Sequence, residues 1–140
     1  MNHAATIIAI FSLITISDAV QVNGEEIHAA AIAEALEYSD NIELLHFSAC
    51  SIMAGDAAKE IKTTLAKNGV SFPISGYPKL VPWGLSAGAE FSYFGMILEH
   101  RMQPAEAARQ LKLLMPHVGA KAIEGSAFPP MDFRFQPGGK

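Results

Sequence analysis

The sequence predicts an α/β domain in three layers, with a mainly parallel sheet between helices. Three observations carry that expectation. Half of the 140 residues are apolar and 17% are charged, a globular composition with enough material for one core. Apolar runs of strand length recur at Ala4–Ile16, Ile42–Phe47 and Val70–Ile74. Helically spaced stretches lie between them, and this alternation implies right-handed crossovers and a parallel sheet.

The first run, Ala4 to Ile16, admits two readings. It suits a strand covered on both faces. Followed by Ser17-Asp18-Ala19, it also suits a signal peptide cut after Ala19, although no Lys or Arg precedes it. It is too short to span a bilayer, which needs about 20 residues. Next, Asn23 reads as an N-cap with Glu26 reaching back, opening a helix over roughly 24–38 with Ile27, Ala31, Ile32, Ala35 and Leu36 on one face. Tyr38-Ser39-Asp40-Asn41 breaks that pattern before the strand Ile42–Phe47. Asp56 then caps a helix whose stripe is Ala58, Ile61 and Leu65, closed by Asn68-Gly69.

Pro73 places the strand Val70–Ile74 near an edge or ends it early. Ser75 to Gly84 reads as a loop, and Ser86 as the N-cap of a helix over roughly 86–99 that buries Phe91, Phe94 and Leu98. A last helix, roughly 104–115, begins with Pro104 at N1 and buries Ala108, Leu111 and Met115. Residues 1–125 form the expected domain, and 126–140 an irregular tail.

Charge and cysteine content narrow the function. A net charge of −4 without clustered Lys and Arg argues against nucleic-acid binding. One cysteine rules out an internal disulfide framework and a multi-cysteine zinc site, and a lone thiol fits a reducing, cytoplasmic compartment unless residues 1–19 are a signal peptide. The histidines lack metal-site spacing, and no cofactor is expected. Cys50 follows a strand and precedes a helix, where α/β folds build their sites and where backbone N–H groups favour a thiolate. The plainer alternative is a small buried hydrophobe.

The run Ile42-Glu43-Leu44-Leu45-His46-Phe47-Ser48-Ala49-Cys50-Ser51 resembles the strand and nucleophile of caspase-like cysteine peptidases. That clan also holds the gingipains and the bacterial domains named for caspases and tetratricopeptide repeats. Ile74-Ser75-Gly76-Tyr77, Val81-Pro82-Trp83 and Ser86-Ala87 are similar to the next strand and specificity loop of bacterial members. The resemblance covers roughly residues 42–98. Ser48-Ala49-Cys50-Ser51 departs from the Gln-Ala-Cys-x-Gly signature of animal caspases, which points to the bacterial type.

Such enzymes pair the cysteine with a histidine about 50 residues upstream, and His3 stands in that range. Ala4 occupies the place of the glycine whose N–H helps bind the oxyanion. The resemblance therefore implies a Cys50–His3 dyad that cleaves peptide bonds, an oxyanion site at the N–H groups of Cys50 and Ala4, and a substrate pocket walled by Tyr77, Trp83 and Ser86. Bacterial relatives often carry Asp beside that Trp; this chain has Pro82, so a preference for basic residues is not implied. Several strands precede the histidine in the resembled fold. The chain is thus expected to be part of a larger domain, or to self-associate or take a partner that completes the sheet. The alternative to a peptidase is an inactive scaffold of the same kind, used for binding or assembly.

Gly84-Leu85-Ser86-Ala87-Gly88 matches the nucleophile elbow of α/β-hydrolases. The two prolines ahead of it rule out the central strand that an elbow requires, and the order of Asp132 after His100 and His117 fails as well. His46 reads as a buried structural residue, His28 as solvent-facing, and His100 and His117 as residues of helix C-terminal regions.

Overall fold

The computed structural model describes residues 6–11, 14–16, 19–22, 25–38, 42–48 and 52–139. In chain order the strands are β1 (Thr6–Phe11), β2 (Ile14–Ile16), β3 (Ala19–Val22) and β4 (Glu25–His28). Helix α1 (Ala29–Leu36), β5 (Ile42–Ser48), helix α2 (Ala57–Lys67) and β6 (Ile74–Gly76) follow. Helices α3 (Trp83–Leu98) and α4 (Pro104–Leu114) lead to β7 (Arg134–Gln136). The main sheet is mixed, in the order β1-β5-β6-β7, with β1, β5 and β6 parallel and β7 antiparallel. A separate antiparallel sheet has the order β2-β3-β4.

β5 organises the core because both of its faces are covered. Leu45 and Phe47 join Ile32, Leu36, Ile61, Leu65 and Ile74 in one cluster with α1 and α2. Leu44 joins a second cluster with Tyr93, Ile97, Leu111, Met131 and Phe133, packed by α3 and α4. The period-two alternation of a strand sends neighbouring residues to opposite faces, so His46 and Ser48 turn the same way as Leu44. α2 follows its stripe: Ala58, Ile61 and Leu65 are buried, and Gly69, at φ 75°, ends the helix in the left-handed conformation.

Several expectations are corrected. The first apolar run holds β1 only to Phe11, and Ile14–Ile16 belongs to the second sheet. Glu25–His28 is a strand rather than the first turn of a helix. It pairs with Ala19–Val22 in the register Val22↔Glu25, leaving two residues between the strands. Those two are Asn23-Gly24, a dipeptide favoured in two-residue hairpins, and that signal outweighs a capping box over an alternating Val-Gln-Val segment.

β6 begins only after Pro73 and lies inside the sheet between β5 and β7. Pro73 meets β5 through its carbonyl, which accepts from Leu45 N at 3.0 Å. The tail is not wholly irregular: Met131 and Phe133 are buried, and β7 pairs with β6. The alternation Met131-Asp132-Phe133-Arg134-Phe135 explains why.

α3 starts at Trp83, three residues earlier than expected, with Pro82 as its N-cap. Ser86 therefore lies inside the first turn, and its hydroxyl donates to Trp83 O at 3.0 Å. The buried face holds Ala89, Glu90, Tyr93, Met96 and Ile97, while Phe91 and Leu98 are exposed. A helix that is apolar nearly all round has no single stripe to read. Its face is set by what Glu90 meets.

Candidate functional site

The end of β5, the middle of β6 and the buried face of α3 converge on a polar cluster inside the second core. His46 is fully buried; its Nδ1 lies 2.8 Å from Ser75 Oγ on the neighbouring strand. Its Nε2 faces Glu90 Oε1 at 3.4 Å. The Ser48 hydroxyl donates to Glu90 Oε2 at 2.7 Å. One proton arrangement suits every pair: Ser75 donates to Nδ1, the ring proton sits on Nε2 toward Glu90, and Ser48 donates to the other oxygen. The Nε2 contact is longer than a good hydrogen bond, and neither His46 Nε2 nor Glu90 Oε1 has another partner.

Aromatic rings wall the cluster. Tyr77, Tyr93, Phe94 and Phe133 stand with centroids 5.2–6.2 Å from the imidazole. Burial, and then the negative charge of Glu90, pushes the Tyr77 phenol far above its ordinary range. Burial does the same to Tyr93, whose hydroxyl donates to Pro104 O at 3.3 Å. Both phenols stay protonated. His46, fully buried behind these rings, does not reach the surface.

Beside this cluster, at the carboxyl end of β5, opens a cavity of about 300 Å³. Its surface is almost wholly apolar, with the nearly buried Ser48 and Glu90 behind it. Trp83, Ser86, Ala87, Phe91 and Phe94 form the rest of its wall. All but Ser48 come from α3.

Among the residues expected at the substrate pocket, Trp83 and Ser86 line this cavity, whereas Tyr77 is fully buried against Phe133. Cys50, His3 and Ala4 lie outside the described residues. Ser48, two positions before Cys50, is the last residue of β5. The Gly-Leu-Ser-Ala-Gly run is helical from its first residue and forms no elbow. Ser48 and Glu90 escaped the sequence reading. One signal was present: Glu90 is the only charged residue in the sixteen of α3.

His117 belongs to a single 3-10 turn, Pro116–Val118, beyond α4, where its ring packs on Phe128 at 5.3 Å. Among the described residues no three His, Cys, Asp or Glu side chains group closely enough to hold a metal ion. No helix among them is long and apolar enough to cross a membrane. No family model, curated protein or solved structure matches this chain.

Proposed function

We propose that this chain is a caspase-like cysteine peptidase domain that cleaves peptide bonds at the carboxyl end of β5, with Cys50 as nucleophile and His3 as its acid–base partner. The observation that carries the reading is the cavity at the end of β5, lined in part by Ser48. Cys50 follows Ser48 by two positions in the chain. Sites at the carboxyl ends of parallel strands are the rule in open α/β sheets, and β1, β5 and β6 run parallel here. The two apolar clusters, with α1 and α2 in one and α3 and α4 in the other, support the three-layer form of the resembled fold.

In this mechanism the Cys50 thiolate attacks the scissile carbonyl carbon and His3 protonates the leaving amine. Water then hydrolyses the thioester, with His3 taking its proton. The N–H groups of Cys50 and Ala4 face the oxyanion, each donor contributing about 3 kcal/mol. The proposal includes a reducing compartment, on the ground of the single cysteine. It also includes self-association through β1, which stands last in the order of the described main sheet.

A thiol-reactive probe tests the dyad. Cys50 is the only cysteine, so alkylation of the native chain reports on it alone. Rapid labelling at neutral pH that slows in His3→Ala is expected; labelling that only denaturant accelerates refutes the dyad. The second reading, a non-catalytic binding scaffold, is favoured by the exposure of Trp83 and Phe91 at the cavity rim, 71% and 78%.

A further inference from the structure

We infer that the outer face of α3 pairs two copies of this chain, the two helices running antiparallel about a two-fold axis at Phe91. The helix holds one charged residue, Glu90, and that residue is buried. Its outer face therefore carries no charge, whereas a helix that meets water ordinarily turns charged residues outward. Trp83 and Phe91 stand 71% and 78% exposed, and Leu98 is exposed at the far end. An uncharged surface rich in aromatic residues has the composition of an interface core.

The pattern along the helix selects a second copy. Ala87, Phe91, Phe94 and Leu98 follow one another at steps of four, three and four, a single stripe. Gly84, Gly88 and Gly95 fall on the same stripe, and a Cβ added at any of them would meet nothing within 4 Å in the single chain. Glycine is the poorest helix former after proline, so three in one helix weaken it unless another backbone comes close. Reversing the stripe about Phe91 sets Leu98 against Gly84, Phe94 against Gly88 and Ala87 against Gly95, with Phe91 against its own copy. Each bulky side chain beside the axis thus meets a glycine, the self-complementarity that a two-fold interface requires.

Charge and area agree. Each chain carries a net charge of −4, so two copies repel over much of their surface, and an uncharged face is where they can meet. From their exposed fractions, Trp83 and Phe91 of two chains offer about 600 Å², over half of the about 1,000 Å² that a specific interface needs, before Leu98 and Phe94 are counted. The contact is separate from the sheet edge at β1. Phe91 and Phe94 also line the cavity, so pairing covers it; on the peptidase reading, the single chain is the form that admits a peptide.

The test is sedimentation velocity of the reduced full chain from micromolar to near-millimolar concentration, read beside the emission of Trp83, the single tryptophan. A reversible dimer is expected, with Trp83 emission moving to shorter wavelength as it forms. Phe91→Glu changes an exposed side chain, sets two like charges at the axis and should raise the dissociation constant at least about thirtyfold. Gly88→Ala should raise it at least about fivefold without lowering the stability of the single chain, because the methyl group meets only the second copy. Tyr38→Glu alters an exposed aromatic residue just beyond α1, which packs on the other face of β5, and should leave pairing as it is.

A chain that stays single throughout the range overturns the inference and leaves the face to a partner of another kind. A dimer that Phe91→Glu leaves intact overturns it too, and places association elsewhere, the β1 edge included. So does pairing as tight in Gly88→Ala as in the unaltered chain, or an equal loss in Tyr38→Glu. None of these outcomes depends on Cys50, so the peptidase reading stands or falls separately.

Discussion

Replacing Gly76 by alanine puts a methyl group where the two central strands touch. Gly76 pairs with Phe47 across the parallel β5–β6 ladder. A Cβ at this position would lie 2.8 Å from the Phe47 carbonyl oxygen, 3.2 Å from its Cβ and 3.3 Å from Met53 Cγ. The oxygen belongs to a backbone that also carries Ser48 and the sheet register, so it cannot retreat as a flexible side chain would. Overpacking of this kind costs about 1–3 kcal/mol. With urea m-values of about 1–3 kcal/mol/M for small domains, the unfolding midpoint should fall by about 1 M. Gly88→Ala is the control: the site lies in the exposed interior of α3 with nothing within 4 Å of the new methyl, and alanine there should stabilise by up to about 1 kcal/mol. The assay is urea unfolding followed by far-ultraviolet circular dichroism. Equal midpoints for Gly76→Ala and the unaltered chain would refute the close approach of β5 and β6.

Other consequences are as direct. Ile61→Ala removes a fully buried side chain between α2 and β5 and should cost about 2–5 kcal/mol by the same unfolding measurement. Phe133→Ala should cost about 3–5 kcal/mol, because Phe133 is buried, stacks on His46 and meets Tyr93 edge-on, whereas a truly irregular tail would tolerate it. Arg109 holds Glu106 in a two-point pair, at 2.9 and 2.6 Å, and Gln110 adds a third bond, lowering the carboxyl to a pKa of about 2. A folded pKa below the unfolded one gives stability that is full above the ordinary carboxyl pKa of 4.5 and is lost as pH falls through about 2. A carbon-detected titration should show this depression in the unaltered chain and its loss in Arg109→Ala.

The legible parts of the sequence were those where one local rule acted alone. β5 was bounded to within a residue at its C-terminal end because Ile42–Phe47 is a continuous apolar run between polar breaks. α2 was read with its buried stripe, since a 3.6-residue pattern and a glycine at positive φ agreed there. β4 was missed because a capping pattern and a hairpin dipeptide competed over the same residues, Asn23 to Glu26, and a tertiary strand pairing decided between them. β7 was missed because its three residues count as a strand only once β6 offers an edge.

The site was legible in part. Trp83 and Ser86 were placed from a loop resemblance, and both line the cavity from helical positions. Glu90 was passed over because a charged residue inside an apolar helix has meaning only when its partners are known. Those partners, Ser48 and His46, lie over 40 residues away in the chain. His46 is buried, as expected of this strand histidine, with its ring fully enclosed.

The central claim is that Cys50 cuts peptide bonds beside the cavity at the end of β5. The most direct measurement is digestion of a peptide library by the reduced full chain, with mass spectrometric identification of the new termini, run beside Cys50→Ser. The account predicts new termini with the unaltered chain and none with the variant, and a Cys50→Ser protein that keeps its circular dichroism spectrum. The same cleavages by Cys50→Ser, or no cleavage by a folded unaltered chain, would contradict it.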